Sequence, residues 1–292
     1  MNLDNYILGG AQLGFKYGIL NNSSTLTHQE IEKLLSLAFK YGIKYIDTAP
    51  AYGDSEKILN NKNYNHFSII SKTDFRNYAE NNEDFVLESL QSTLDRTSRN
   101  NIYGYLIHNT NEFLGLKNRK KIWKRLLDCK HNGLITKLGF SVYIESEIDK
   151  ILDEFDSIDI IQLPINIFDQ RLINCKILKK ASHSNIELHA RSIFLQGLLL
   201  CNINMIPRKL INIIDMRKEV DNYASKLGIS SLDLSLAYIK NLDFISHTVV
   251  GVKSSEQLKL LNAANVNSEL IKNIDYSRFK LNSYSELDPR NW

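Results

Sequence analysis

Short apolar runs alternate with amphipathic stretches along almost the whole chain. Eight runs are almost continuously apolar, and we predict that they form β-strands: Tyr6–Leu8, Lys44–Asp47, Phe67–Ser71, Ile102–Ile107, Ile135–Phe140, Ile158–Leu163, Ile186–Arg191 and Thr248–Val250. The stretches between them carry apolar residues at helical spacing and predict helices: 28–41, Ser55–Leu59, Asp84–Leu94, Arg119–Lys130, Glu145–Phe155, Leu172–Ala181, Met216–Leu227, Leu232–Lys240 and Ser255–Ala263.

The first long helix shows how sharp these local signals are. Thr27 followed by Glu30 is a capping box, in which each side chain satisfies a backbone N–H of the other residue. The apolar positions that follow keep helical spacing: Ile31, Leu34, Leu35 and Ala38. Gly42 then predicts the end of the helix, because glycine readily adopts the left-handed conformation of a helix C-terminus.

The order of the elements predicts the fold class. Strands that are apolar throughout are typical of parallel strands buried on both faces. Strict strand–helix alternation allows a doubly wound sheet or an eightfold barrel, and the count of eight with this length favours the barrel. We therefore predict an α/β protein, a (β/α)8 TIM barrel with extra helices, in which residues 1–292 form a single domain. We expect the C-terminal tail from Tyr284 to fold over the top of the barrel.

Composition narrows the class of protein. The chain has 292 residues, 43% hydrophobic and 24% charged, as in a globular protein. The net charge of +3 is small and dispersed, which argues against a nucleic-acid partner. No long apolar run predicts a membrane span and no signal peptide is visible, so we expect a cytoplasmic protein. The three cysteines are widely spaced and predict buried thiols in a reducing compartment: Cys129, Cys175 and Cys201.

Four chemically active residues occur where predicted strands give way to loops: Asp47, Tyr52, Lys72 and His108. A phenol is a weak acid at neutral pH, and a nearby lysine is expected to lower its pKa. A carboxylate would hold that lysine in place, and an imidazole would assist. Such a group suits protonation of a carbonyl oxygen. Alone, Asp47 and Lys72 could be a structural ion pair. Most other histidines, His247 among them, are interpreted as surface or turn residues.

The most specific motif spans residues 42–56, GIKYIDTAPAYGDSE. It resembles the aldo-keto reductase signature G-x-x-x-x-D-T-A-x-x-Y-G-x-S-E. Further matches follow in family order on later strands, at Lys72, His108, Ser141 and Gln162. The resemblance therefore extends over nearly the whole chain. The N-terminal stretch LGGAQLG, residues 8–14, further resembles one subgroup of the family.

The resemblance implies reduction of an aldehyde or ketone to an alcohol with NADPH, or NADH, and no metal. Tyr52 would be the general acid, Lys72 would lower its pKa, Asp47 would pair with Lys72, and His108 would orient the carbonyl. The cofactor would be bound by two groups of residues. Those near the nicotinamide are Gly10, Gln12, Ser141, Gln162, Arg191, Ser192, Leu195 and Gln196. Those near the phosphates are Gly251, Lys253, Ser254 and Gln257, where backbone N–H groups at a helix N-terminus suit a pyrophosphate.

Three departures from the family pattern affect the cofactor site. Arg191 stands where many relatives stack an aromatic ring on the nicotinamide, although a planar guanidinium can also stack. Gln257 replaces an arginine that is common in NADPH-specific members. Two leucines replace the usual polar adenine contacts: Leu260 and Leu261. Lys253 could still meet a 2′-phosphate, so we expect a slight preference for NADPH.

The substrate is expected to be a small carbonyl compound, and we predict a sugar or a nucleotide-linked keto-sugar. The N-terminal subgroup is often tied to carbohydrate metabolism, and polar residues near the strand ends could bind hydroxyls: Gln12, Asn109, Asn166 and Gln170. Two alternatives stay open, a nicotinamide-binding redox sensor with little turnover and an isomerase or dehydratase that recycles its cofactor. The sequence does not indicate an oligomeric state.

Overall fold

Eight parallel strands close into a barrel in this computed structural model, which describes residues 3–20, 25–76, 78, 79, 82, 84–173, 175, 178, 185–266 and 273–292. The strands β1 to β8 span, in order, Tyr6–Gly9, Tyr45–Asp47, Ser68–Thr73, Ile102–Ile107, Ile135–Ser141, Ile160–Pro164, Glu187–Arg191 and His247–Val250. Each strand pairs with the next, and β8 closes the ring on β1. The predicted (β/α)8 barrel is confirmed.

Helices surround this barrel. Within the described residues, α1 to α11 span Ala11–Gly14, His28–Lys40, Ser55–Ile58, Phe85–Thr97, Thr110–Gly115, Arg119–His131, Glu145–Glu154, Ile211–Lys226, Ser231–Lys240, Ser255–Ala263 and Tyr284–Leu287. Short 3-10 turns lie at Lys62–Tyr64, Leu195–Gly197, Ile203–Met205, Tyr276–Phe279 and Pro289–Asn291. None of the helices in these ranges combines the length and the apolar character needed to cross a bilayer.

Two apolar clusters hold the layers together. The larger one lies between strands and helices, and strand residues such as Ile46 and Leu188 are fully buried in it. The smaller one fills the barrel interior with four side chains of zero exposure: Ile7, Ile70, Leu106 and Ile160. Burying both faces of every strand explains why the strand sequences are apolar throughout.

The start of α2 matches its sequence signal. The Thr27 hydroxyl accepts from the Glu30 N–H at 3.3 Å, and the Thr27 N–H donates to the Glu30 carboxylate at 2.7 Å. Gly42 follows the helix with a φ of +94°, as a left-handed cap residue should. This capping box is therefore confirmed at atomic detail.

Some predicted boundaries were wrong. Helix α8 begins at Ile211 rather than Met216, so the connection before it is shorter than expected. Its first turn has no side-chain cap, which removes the usual start signal from the sequence. The short helices α1 and α5 were not predicted. The helix predicted over Leu172–Ala181 falls mostly outside the described residues.

Polar side chains occupy the barrel interior where β7 and β8 begin. The Glu187 carboxylate pairs with the Lys137 ammonium and lies 3.2 Å from His189 Nε2. The His189 ring, which is fully buried, lies 5.0 Å from the His247 ring in an edge-to-face contact. His247 is thus part of this network, and its interpretation as a surface or turn residue was wrong.

Candidate active site

A cavity of about 950 Å³ opens at the carboxyl ends of the strands. Asp47 ends β2, and Tyr52 follows in the next loop. His108 comes directly after β4, and all three line the cavity wall. Lys72, near the end of β3, lies behind the wall with 1% exposure. The fold therefore brings together the four residues that the sequence singled out.

A buried ion pair is the fixed part of this group. Lys72 Nζ donates to Asp47 Oδ1 at 2.6 Å and to the Thr48 carbonyl at 3.1 Å. The second oxygen of Asp47 accepts from Gln162 Nε2 at 2.7 Å. Both ends of the carboxylate are satisfied, as a buried charge requires. Gln162 therefore positions Asp47 in this structure, a role that the sequence did not suggest.

Tyr52 and His108 face the cavity beside this pair. Lys72 Nζ lies 5.2 Å from the centre of the Tyr52 ring. The Tyr52 and His108 rings meet edge to face, with centres 5.8 Å apart and an interplanar angle of 87°. A carbonyl oxygen in the adjoining cavity can therefore meet a phenol and an imidazole together.

The protonation of Tyr52 differs from the expectation. Burial raises the pKa of the Tyr52 phenol, and the negative charge of Asp47 raises it further, while Arg191 opposes the rise. The expectation of a lowered pKa was wrong for the free protein, because burial and the Asp47 charge outweigh the effects that lower it. The phenol consequently holds its proton at neutral pH and can donate it when an alkoxide begins to form.

His108 is neutral at ordinary pH. Burial lowers its pKa to about 3, and the nearby Lys72 charge acts in the same direction. A neutral imidazole keeps one N–H as a donor and one nitrogen as an acceptor. His108 therefore suits orientation of a carbonyl oxygen by hydrogen bonding.

The loop that carries Tyr52 is held against the loop after β1. Thr48 Oγ1 donates to Ser55 Oγ at 2.9 Å across the base of the Tyr52 loop. A Cβ added to Gly14 would lie 1.8 Å from the Tyr52 carbonyl oxygen, so only glycine allows this contact. The close approach of the two loops sets the position of the phenol.

Most predicted cofactor residues line the cavity: Gln12, Ser141, Gln162, Arg191, Ser192, Gln196, Gly251, Lys253 and Gln257. The other three lie outside its wall. The Gly10 N–H donates to the Asp47 carbonyl at 2.7 Å, and Leu195 is fully buried. The Ser254 hydroxyl accepts from the Gln257 N–H at 3.2 Å and caps α10. These three residues shape the site without facing it.

Side-chain caps order the end of the cavity where the family resemblance places the cofactor phosphates. Gln257 Oε1 accepts from the Lys253 N–H at 2.7 Å, and Ser254 begins α10 as its N-cap. Gly251 leaves space for the Gln12 side chain, since an added Cβ would meet Gln12 Nε2 at 2.2 Å. A helix N-terminus with a lysine in the same wall fits an anionic pyrophosphate.

Three of the four polar residues proposed to bind substrate hydroxyls are used elsewhere. Asn109 caps α5 by accepting from the Glu112 N–H. Asn166 is fully buried, and Gln170 donates to the Ile167 and Tyr276 carbonyls. Only Gln12 of the four lines the cavity, so that part of the expectation was wrong.

The wall also contains residues that the sequence did not assign to the cofactor. The connection before α8 contributes Leu200, Cys201 and Met205. The tail folds over the barrel top as expected and contributes Pro289 and Arg290. Their place depends on the folded path of the chain, which no local pattern reveals.

Comparison with known proteins agrees with this geometry. Residues 6–278 match the Aldo/keto reductase family. The chain is 26% identical over 295 residues to a D-arabinose 1-dehydrogenase of Saccharomyces cerevisiae (strain ATCC 204508 / S288c), covering 91% of this chain and 83% of the relative.

Solved structures show the same fold. An aldo-keto reductase from Bacillus halodurans in its holo form superposes with a TM-score of 0.74 and 16% identity, covering 94% of this chain and 91% of that chain. A glycerol dehydrogenase from Gluconobacter oxydans gives a TM-score of 0.67 and 19% identity, over 90% and 86% of the two chains. The family match spans almost the whole sequence. The chain belongs to the aldo/keto reductase family and is an NAD(P)H-dependent oxidoreductase.

Proposed function

We propose that this member of the aldo/keto reductase family reduces the carbonyl group of a small polyhydroxylated substrate, a sugar or a nucleotide-linked keto-sugar, in the cytoplasm. The observation that carries the proposal is the grouping of Tyr52, His108 and the Lys72–Asp47 pair on one cavity wall. The relative named D-arabinose 1-dehydrogenase supports a sugar substrate. Gln12, which the sequence placed near both the substrate and the nicotinamide, lies in the same wall and is available for hydroxyls.

The cavity fits a nicotinamide dinucleotide. Its wall runs from Tyr52 to Lys253 and the N-terminus of α10, so a long ligand with a central pyrophosphate can extend along it. We propose that the nine predicted residues in the wall contact the cofactor and that Gly10, Leu195 and Ser254 support them. We also propose a slight preference for NADPH, because Lys253 is available to a 2′-phosphate.

The chain's own residues account for the proton that reduction requires. When bound, the reduced nicotinamide supplies the hydride that the carbonyl carbon receives. Tyr52 donates its phenolic proton to the carbonyl oxygen as negative charge develops there. The Lys72 ammonium and the Arg191 guanidinium stabilise the phenolate that remains, Asp47 keeps Lys72 in place, and His108 orients the carbonyl.

Arg191 also bears on the form of the cofactor. A fixed guanidinium charge in the cavity disfavours a second cation, and oxidised nicotinamide is cationic. We therefore propose that the site binds the reduced form more tightly than the oxidised form. Titration of the protein with each form would measure this difference directly.

The test is oxidation of NADPH and of NADH in the presence of aldehydes, aldoses and keto-sugars, with substrate and product both quantified. We expect stoichiometric cofactor oxidation and alcohol formation with a subset of carbonyls. Substrate conversion without net cofactor consumption would instead indicate an isomerase or dehydratase. Tight cofactor binding with no conversion of any carbonyl would indicate a redox sensor.

A further inference from the structure

Two guanidinium groups contact one aromatic ring at the cavity wall. The Cζ of Arg191 lies 4.1 Å from the centre of the Tyr143 ring, and the Cζ of Arg290 lies 3.6 Å from the same centre. All three residues line the cavity together with Tyr52 and His108. The arrangement places two cations at the catalytic end of the cavity.

The two arginines differ in how their charge is compensated. Arg290 is at the rim, with its side chain 48% exposed, and pairs with Asp288 at 2.6 Å. Arg191 forms no ion pair with any carboxylate in the described part of the chain. It donates to the Val142 carbonyl at 3.0 Å and contacts Ser192 Oγ at 3.4 Å. Its Nε is buried and has no hydrogen-bond partner among the described residues.

The nearby carboxylate cannot take that role. Both oxygens of Asp47 are already bonded, one to Lys72 and one to Gln162. The catalytic end therefore carries one positive charge, on Arg191, that the described protein groups leave uncompensated. A partly buried charge is unfavourable unless a group of opposite charge compensates it, and a ligand in the cavity can supply that group.

The position of Arg191 separates this charge from the phosphate end of the cavity. Arg191 ends β7, yet its guanidinium bonds to Val142 just after β5, so it reaches back across β6. Lys253 and α10, which suit the cofactor pyrophosphate, follow β8 on the other side of β7. The uncompensated charge of Arg191 is therefore separate from the groups that suit the pyrophosphate.

We propose that Arg191, with Arg290 beside it, binds an anionic group of the carbonyl substrate, a carboxylate or a phosphate. Both guanidinium carbons lie close to one ring centre, so they are within about 8 Å of each other. Guanidinium groups donate N–H···O bonds of roughly 2.7–2.9 Å to carboxylate and phosphate oxygens. This inference rests on the proposed carbonyl reduction and adds the charge of the substrate to it.

The simpler alternative is that Arg191 only packs on Tyr143 and closes the wall. Packing on the ring needs a flat side chain but no anion, so it predicts no preference between charged and neutral substrates. A charge-assisted, forked contact predicts such a preference and predicts that lysine replaces arginine poorly. The preference is therefore the quantity to measure.

The kinetic experiment uses two matched pairs of aldehydes. Succinic semialdehyde is compared with its neutral methyl ester, and glyceraldehyde 3-phosphate with glyceraldehyde. We expect kcat/KM for one anionic member to exceed that for its neutral partner by at least about tenfold, as a hydrogen-bonded charge contact implies. In Arg191→Gln the ratio should fall toward one, and in Arg191→Lys it should be intermediate.

Arg278→Gln is the matched control. Arg278 also lies over a tyrosine ring, with its Cζ 4.5 Å from the centre of Tyr223, and it pairs with Glu219 at 2.8 Å. It is 45% exposed, close to the value for Arg290, but it does not line the cavity. Its replacement should leave the wild-type ratio intact.

A binding measurement separates this inference from the proposed function. Isothermal titration of the cofactor-loaded protein with succinate and with inorganic phosphate should show binding that Arg191→Gln loses. The identity of the better ligand distinguishes a carboxylate from a phosphate. Turnover with a ratio near one in both aldehyde pairs would overturn the inference and leave the reductase. Absence of turnover with every carbonyl of the wider panel of aldehydes, aldoses and keto-sugars would overturn the reductase. Absence of binding by either anion would overturn the inference.

Discussion

Asp47 and Lys72 bury opposite charges beside the phenol of Tyr52, with side chains 5% and 1% exposed. The sequence located these residues because each lies at the end of an apolar strand, and parallel strands end at one face of a barrel. It did not show that the pKa of Tyr52 is raised, because that shift depends on burial and on the Asp47 charge. Gln162 was missed as a partner of Asp47 because the two are separated by 115 residues.

Removal of one member of this buried pair should destabilise the fold. We expect Lys72→Met to lower the free energy of unfolding by about 3–5 kcal/mol, because Asp47 is left buried without its counter-ion. Urea titration measures the loss. The control is Lys57→Met, whose partner Asp54 and own side chain are both 67% exposed and whose pair is worth about 0–1 kcal/mol. Equal losses in the two variants would show that the buried pair contributes nothing special.

At the level of elements, the sequence predicted which segments form strands and helices better than it predicted where those elements begin and end. Helix α2 carries a complete capping box and was located well, whereas α8 lacks a side-chain cap and its start was placed too late. Assignment of Asn166 and Gln170 to the substrate failed for a different reason. Polar residues just after a strand can serve the backbone of their own loop, and sequence alone cannot distinguish that use from ligand binding.

The contact between the loops after β1 and β2 should be essential for catalysis. Gly14→Ala would force its new methyl group into the Tyr52 carbonyl and shift the phenol. We expect kcat/KM to fall by at least about 100-fold, since a misplacement near 1 Å can have that effect. Circular dichroism should show that the barrel remains folded.

Gly115→Ala is the corresponding control. Apart from its chain neighbours and the backbone of α5, no atom of the described residues lies within 4 Å of a Cβ added at Gly115, at the end of α5. Its activity should stay within about twofold of the wild type, because nothing has to move. An active Gly14→Ala enzyme would mean that the two loops adjust freely and do not set the position of Tyr52.

Across the whole molecule, the alternation of apolar strands and amphipathic helices predicted the barrel. The sequence did not reveal the polar network inside the barrel where β7 and β8 begin. Glu187, His189 and His247 come together only because β7 and β8 are neighbours in register. Such pairings depend on strand order and on which face each side chain takes. Both are properties of the closed barrel rather than of any one strand.

This network should make stability depend on pH. Burial lowers the pKa of His247 to about 4, with His189 and Lys137 acting in the same direction and Glu187 opposing them. An unfolded histidine has a pKa near 6.5, so the unfolded chain binds more protons between about pH 6.5 and pH 4. The stabilisation is therefore complete above about pH 6.5 and is lost as the pH falls toward 4.

Urea titrations at pH 7 and pH 5 measure the effect. We expect the wild type to be less stable at pH 5, and His247→Asn to lose part of that difference. His131→Asn, at the exposed end of α6, should retain it. A wild type that is more stable at pH 5, or a His247→Asn variant with an unchanged difference, would contradict this assignment.

The measurement that tests the central claim most directly is single-turnover hydride transfer from bound NADPH to a carbonyl substrate, in the wild type and in Tyr52→Phe. If Tyr52 is the proton donor, the variant should bind NADPH with wild-type affinity and transfer hydride about 100- to 10,000-fold more slowly. Hydride transfer within a few-fold of the wild-type rate would show that the proton comes from elsewhere, and the assignment of this site would be wrong.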